Sequence, residues 1–481
     1  MWIGQLLAMF SMAVLLCRRS GDALPEPLQQ AEQAAETFRR RTVQCLILAD
    51  YTSLVPHTLE AMLIYLHGEY AQSNDAQPGI FVTMGMVIRL ALRMGYHRDP
   101  CHSPHISPFQ AEMRRRMWTL VCHTDMMFAS QNGLPSLVRA EQSDTRLPRN
   151  LLDDDMHEDM SELPPARPLT DPTPVAFVIV KDGIMRVYRR IVEHLATIAP
   201  SPYDNVLALD QQLQEARHAI PPYLRMRSMD QSIADPPELI IKRLYLEFGF
   251  QNARCALHRR YLSESQSRHR YAYSRSVCIE AAMRLLQHQA MLHAELQPGG
   301  QLSRESGYIT SFTSHFFLTA AMIVCLELSN IGEEDGGTQR EHLLDVLKRS
   351  HQIWCAESAQ SHEARKVADA LAVVLRNAHE SNRQPWRPPI ASPSSIPLFR
   401  SMALNTPTSP MAGRGCQTHS NDGVATGDVS NDQDCVGNAD VNTGMTWEDM
   451  LQMPGGINWD AWDKQLDHLS FTAPAIATAR S

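Results

Sequence analysis

His97, Cys101, His102 and His105 are four metal-ligating side chains within nine positions. Imidazoles and a thiolate this close together suit a zinc site, provided a second set of ligands completes the tetrahedron. No second set follows and Pro100 and Pro104 interrupt the run, so a loop between two helices is the favoured reading. The ten cysteines are scattered, and the nearest two, Cys416 and Cys435, are 19 apart. Without a C-x-x-C pair there is no Cys-only zinc module. Arg114-Arg115-Arg116 could touch phosphate. Neighbouring helical residues point about 100° apart, however, and Glu112 lies one turn before Arg116, so ion pairs within the chain are favoured. Asp153-Asp154-Asp155 resembles the metal-binding aspartates of a helical terpene synthase only superficially. It lies among prolines, with no second metal motif. There is no G-x-S-x-G, G-x-x-x-x-G-K-[ST], H-E-x-x-H or G-x-G-x-x-G. The expectation is a chain with no catalytic, cofactor-binding or metal-binding residues.

The elements that position these residues read as helices. Two helices over 28–72 break near Pro56, and a third covers 79–95. From Ser107 to Gly133 the boundaries are clearest. Ser107 caps the start with Gln110 three residues on, Pro108 takes the first helical position, Gly133 closes and Pro135 blocks continuation. Met113, Met117, Leu120, Val121, Thr124 and Phe128 are predicted to form its buried face. A loop rich in Pro and Asp spans 143–175. Helices resume at 175–197, 204–219, 236–262, 270–296, 308–330, 340–357 and 360–380. Strand alternation is rare, so the fold predicted is an all-α, irregular multi-helix bundle over 1–384 with its core motifs at 79–156. The 24 methionines are adaptable core filler, and a Met-lined cavity between helices would admit an apolar ligand.

The apolar run Trp2 to Cys17 is followed by Arg18-Arg19. A signal peptide carries its charge before the run, and a membrane span needs about 20 apolar residues. A buried helix is the favoured reading over an anchor or a signal. With 44 Lys+Arg against 53 Asp+Glu, the net charge of −9 does not predict direct binding to nucleic acid.

Composition changes after residue 384. Residues 385–445 are rich in Pro, Ser, Thr, Asn, Asp and Gly and read as a disordered linker, since they cannot bury enough apolar surface to offset chain entropy. Residues 446–469 turn acidic and aromatic, with Trp447, Trp459, Trp462 and Leu466 among Glu and Asp. Trp459, Trp462 and Leu466 fall at i, i+3 and i+7, one face of a helix able to form on a partner. This piece reads as an activation segment. The competing reading docks it back onto the helical domain.

Several motifs together resemble the fungal-specific transcription factor domain, the middle homology region of fungal zinc-cluster regulators. They are IRLALRMGYHRDP (Ile88 to Pro100), EMRRRMW (Glu112 to Trp118), Asp125, GLP (Gly133 to Pro135) and DTRLPRNLLDDDM (Asp144 to Met156). LHRRYL (Leu257 to Leu262) and CIEAAMRLL (Cys278 to Leu286) resemble its later helices. The resemblance covers roughly 5–380 and is most specific at 88–156. It departs at Thr119, where the family often has an aromatic, and at Leu134, where it usually has Arg.

What the resemblance implies is structural. Gly95, His97, Arg98, Asp99, Glu112, Arg115, Arg116, Trp118, Asp125, Gly133, Pro135 and Asp144 would fix helix orientation through caps and buried or half-buried ion pairs. It also implies a nuclear regulator of RNA polymerase II transcription, with secondary-metabolite gene clusters a family habit. Partners would be coactivators or corepressors, with room for a homodimer and a small apolar effector, and no membrane. The family's six-cysteine, two-zinc module is not in this sequence. Zinc and DNA are therefore expected only through such an upstream module or a partner. A DNA-binding-deficient sensor or dimer partner of the same fold is the alternative.

Overall fold

A computed structural model describes residues 1–381 apart from 29, 74, 76, 198–200, 265–268, 306–310 and 332–336. The linker and activation segment expected over 385–469 lie outside the described residues. The described chain is all-α, as expected, and no strand occurs among these residues. The helices are α1 (Trp2–Ser20), α2 (Ala31–Leu48), α3 (Thr58–Gln72), α4 (Pro78–Arg93), α5 (Pro108–Asn132), α6 (Pro174–Ala196) and α7 (Tyr203–His218). They continue as α8 (Pro237–His258), α9 (Tyr261–Glu264), α10 (Ala272–Glu295), α11 (Ser311–Asn330), α12 (Gly337–Glu357) and α13 (His362–Ser381). The helix predicted over 236–262 ends at His258 and resumes as the short α9.

One apolar core joins α3, α4 and α5 to α8, α10, α11, α12 and α13, with Leu59, Val87, Val121, Leu285, Ile323 and Leu347 at its centre. A second core sits among α6, α7 and α8 around Ile191, Val206, Leu213 and Phe250. A polar clip joins the α3–α4 connection to the start of α13. Asp75, between α3 and α4, accepts from Ser361 Oγ and from the first free amides of α13, His362 N and Glu363 N, each at 3.1 Å. A carboxylate at a helix N-terminus satisfies orphan amides and faces the positive end of the dipole.

The first helix departs from the expectation of a buried core element. Gly4, Ala8, Ser11, Val14 and Leu15 are its buried edge. Ser11 Oγ donates to Ala35 O at 3.0 Å, Phe10 meets Phe38 at 5.5 Å and Arg18 pairs with Glu32, so α1 and α2 run antiparallel. The opposite stripe, Trp2, Ile3, Met9, Phe10 and Leu16, is exposed, Trp2 by 61%. By length and composition α1 is able to cross a membrane, yet one side of it is packed on protein. The packed side lies against both α2 and α3, and the apolar stripe opposite is left exposed.

The end of α4 follows from local chemistry. Gly95 adopts φ +74, and Gly95 N and Tyr96 N return to Leu92 O and Ala91 O at 3.0 Å each. This is the left-handed closure in which glycine avoids a Cβ clash. We expect Gly95→Val to cost about 1–2 kcal/mol and Gly95→Asn clearly less, read as shifts in the urea midpoint. An equal loss from both would show that the left-handed conformation is not what selects glycine there.

Candidate functional site

The most densely bonded polar site lies where the α4 terminus, α5 and the strap 143–173 meet. Ser107 Oγ caps α5 by accepting from Gln110 N at 3.2 Å, and Gly133 closes it with φ 61. The capped helix presents three arginines to different neighbours. Arg114 Nη2 donates to Met94 O at 2.7 Å, and its guanidinium lies 4.3 Å over the Tyr96 ring. Arg115 reaches Asp99 with both fork nitrogens, Nε to Oδ2 at 3.0 Å and Nη2 to Oδ1 at 2.7 Å. Arg116 turns to Glu112 Oε1 at 3.4 Å, Asp153 Oδ1 at 2.6 Å and Leu151 O at 3.3 Å.

Asp99 is the centre of this site. Its carboxylate also accepts from Cys101 N and Arg146 N, both at 2.9 Å, and the residue is 2% exposed. Burial pushes its carboxyl up, but the hydrogen bonds from Arg115, Cys101 and Arg146 outweigh burial and hold it well below the usual range. Asp144 Oδ1 accepts from Asp99 N at 2.9 Å, and its other oxygen faces Arg98 and His102 at 3.6 and 3.2 Å. His97 O accepts from Asp144 N and Ser143 Oγ, both at 3.1 Å, while Trp118 Nε1 donates to Ser143 Oγ at 2.8 Å. The strap is thereby stitched to both helices.

Two further buried carboxylates extend the stitching. Glu112 Oε1 accepts from Arg149 N at 3.0 Å, while its Oε2 has no hydrogen-bond partner. Burial raises its pKa against the opposing pull of Arg116 and Arg149 N. Asp125 accepts from Ser136 Oγ at 2.5 Å, Leu137 N at 3.3 Å and Val138 N at 3.0 Å, holding the turn that Gly133 and Pro135 begin.

The face predicted for α5 is corrected by this arrangement. Met113 and Leu120 are exposed, while Glu112, Arg115, Thr119, His123 and Asp125 are buried beside Val121, Thr124 and Phe128. Periodicity marks apolar residues. Here the strap supplies amides and carbonyls that let charged groups go inside. The four metal-ligating side chains read as part of a loop, His97, Cys101, His102 and His105, do not converge. His97 packs on Trp118 at 6.3 Å between ring centres, His102 pairs with Asp144, and Cys101 is exposed. No group of three or more metal-ligating side chains is assembled among the described residues.

A second buried network has no counterpart in the sequence reading. Ser274 Oγ lies 2.8 Å from His258 Nδ1, and His258 Nε2 lies 3.4 Å from Asp210 Oδ1. The order serine, histidine, aspartate is that of an activated nucleophile. Ser274 and His258 are fully buried, however, and Tyr203 Oη also takes Ser274 Oγ at 2.7 Å. Tyr273 Oη donates to Asp210 Oδ2 at 2.6 Å. The serine is closed to solvent, and the network ties α7, α8 and α10 together. Burial lowers the His258 pKa and keeps the imidazole neutral, with Asp210 opposing. The available signal was the row Glu247, Gln251, Arg254 and His258, polar residues one turn apart on one side of α8. The buried thiols of Cys122 and Cys325 are pushed up to about 12 by burial and remain protonated.

Residues 3–220 match the model of the fungal specific transcription factor domain. The chain is 38% identical over 397 residues to the Zn(2)-C6 fungal-type transcription factor pigI of Monascus ruber, a match covering 81% of this chain and 48% of that protein. It is 40% identical over 357 residues to the fusarisetin A cluster transcription factor fsa6 of Fusarium sp. (72% and 47% covered). It is 39% identical over 354 residues to the equisetin cluster transcription factor eqxF of Fusarium heterosporum (72% and 50%). The chain spans about half the length of the curated relatives it matches. No solved structure matches it.

Proposed function

The chain belongs to the fungal-specific transcription factor domain family, and from that premise we propose that it is the regulatory part of a zinc-cluster-class transcription regulator. In this reading it acts in the nucleus, without catalysis, on RNA polymerase II transcription of one secondary-metabolite gene cluster. The observation that carries it is the likeness, over most of this chain, to relatives named for the clusters they serve. The geometry supports a scaffold role. The buried carboxylate of Asp99 is held by Arg115 and backbone amides, and that of Asp125 by Ser136 and backbone amides, contacts that fix the strap and the turn after α5. DNA contact belongs to a zinc module or a partner, since a net charge of −9 opposes a phosphate-gripping surface.

Deleting the gene in its host is expected to lower transcripts of one contiguous biosynthetic cluster by about tenfold or more, while the purified chain alone produces no sequence-selective shift of duplex DNA. Unchanged cluster transcripts would overturn the regulator reading. A salt-sensitive, sequence-selective shift by this chain would overturn the assignment of DNA contact elsewhere. A second reading, a partner-binding protein that lacks its own DNA contact, draws on the uncovered apolar stripe of α1, which offers a helix-in-groove surface.

A further inference from the structure

The outward side of α1 has a spacing of its own. Trp2, Leu6, Met9, Ala13 and Leu16 recur four and three residues apart. This is the a and d spacing of a coiled-coil seam, held for two heptads. Trp2, Met9, Ala13 and Leu16 are exposed, and Leu6 is half-buried. Ile3 and Phe10, seven apart and both exposed, form a second apolar row beside the seam. The packed side begins with the small residues Gly4, Ala8 and Ser11. A Cβ added at Gly4 would stand 2.9 Å from Cys45 Cβ on α2, so α1 is seated closely there.

A seam this short pairs only if ordering the helix costs little and enough area is covered. An isolated helix of this length is marginal in water. Here α1 is already fixed, by Ser11 Oγ to Ala35 O on α2 and by Arg19 Nη1 to Ala71 O in the last turn of α3, at 2.8 Å. Pairing therefore adds little ordering cost. The outward side chains run along about 21 Å of helix. Covering them on two copies removes on the order of 1,000 Å² from water, the lower limit of a specific interface.

We propose that this stripe is a homotypic interface, in which α1 of one copy packs antiparallel on α1 of a second copy in a closed two-fold dimer. Antiparallel layers set Trp2 against the partner's Ala13 and Leu6 against the partner's Met9, so the largest side chain meets the smallest. Ile3 runs beside the partner's Phe10. A parallel pair would stack Trp2 on its own copy and Ala13 on its own copy, crowding one layer and leaving a gap in another. It would also bring both copies of Arg18 and Arg19 to one end, whereas the antiparallel pair keeps them at opposite ends and aligns the helix dipoles favourably. A second copy suits the seam better than a foreign helix. Flanking charges set partner choice in such pairs, and the flanking Ile3, Gln5, Phe10 and Met12 carry none, so nothing repels an identical helix. An isologous contact closes on itself and leaves no stripe to propagate. This pairing goes beyond the regulator reading and does not depend on it.

The test is sedimentation velocity of the full chain from about 1 to 100 μM, where a reversible monomer–dimer equilibrium with a micromolar dissociation constant is expected. Met9→Arg, which sets like charges at the centre of the contact, should weaken pairing about a hundredfold or more, while Met9→Leu should keep it within about threefold. Leu207→Arg, at an exposed apolar residue of α7, should change nothing. Far-UV circular dichroism checks that each variant is folded. Cysteines read the register. Trp2→Cys and Ala13→Cys chains, mixed under mild oxidation, should form a 2–13 disulfide between copies, identified by mass spectrometry, and neither variant alone should link at its new cysteine. A monomer at about 100 μM, unchanged affinity in folded Met9→Arg, assemblies that grow beyond the dimer, or 2–2 and 13–13 disulfides in place of 2–13 would each overturn the proposal. A monomer whose Trp2 is shielded from acrylamide would do the same and assign the stripe to another part of the chain. Sedimentation is read without transcription, so a failure of the regulator reading leaves this result standing.

Discussion

Asp99→Ala is expected to destabilise the helical domain by about 3–5 kcal/mol, because it leaves the Arg115 guanidinium without its buried counter-charge. Cys101 N and Arg146 N lose their acceptor in the same variant. Arg115→Ala should cost a similar amount, and the double variant less than the sum of the singles, since each single strands the other partner. Urea denaturation of the four proteins checks this. Additive losses would show that the two side chains do not act as a pair. Glu112→Gln should behave oppositely and change stability by less than about 1 kcal/mol. Gln keeps an acceptor for Arg149 N, and the raised pKa of Glu112 means its charge is disfavoured where it sits.

The two carboxylates also predict opposite pH responses. Asp99 is held below its ordinary value in the fold. Its contribution is therefore complete above the unfolded value of about 4 and is lost as pH falls from there toward the folded value. Glu112 is raised, so its cost is absent at low pH and grows as pH rises through the unfolded value of about 4.3 toward the folded one. Asp99→Asn should flatten the acid limb of stability against pH, and Glu112→Gln should improve stability at pH 7 relative to pH 4 compared with the natural chain. An unchanged acid limb in Asp99→Asn would show that another group governs acid lability.

Features that depend on a few neighbouring residues were legible in the sequence. Ser107, Pro108 and Gly133 bound α5 because caps and left-handed closures are local, and the all-α class followed from periodicity. The choice among Arg114, Arg115 and Arg116 was not legible. Glu112 at i−4 pointed to Arg116, and that contact exists, but Arg116 then continues to the exposed Asp153. The enclosed pair is Arg115 with Asp99, 16 positions away and brought together by the strap. The buried side of α5 was misjudged for the same reason. A strap that offers Arg146 N, Arg149 N and Leu151 O cannot be inferred from the apolar spacing of the helix it covers. Asp210, His258 and Ser274 come from three helices and share no period at all.

Residues 446–469, fused to an unrelated DNA-binding domain, are expected to raise reporter output by about tenfold, and changing Trp459 and Trp462 to Ala should remove most of that gain. The argument is one of composition. Trp459, Trp462 and Leu466 share a helical face, and Asp460, Asp463 and Asp467 are interleaved with them. Aromatic anchors among acidic residues stay solvated when free and bind a basic, apolar groove when one is offered. The uncovered stripe of Trp2, Ile3, Met9, Phe10 and Leu16 on α1 is the competing destination within the same chain, with Arg18, Arg40 and Arg41 exposed on α1 and α2. The two destinations make different demands. An activation segment works on a foreign carrier, and its removal leaves the stability of the helical domain unchanged. A docking segment is silent on a foreign carrier, and its removal lowers the urea midpoint and increases quenching of Trp2 by acrylamide. A silent intact fusion together with a destabilised truncation would therefore reassign 446–469 from an activator of transcription to a cover for α1.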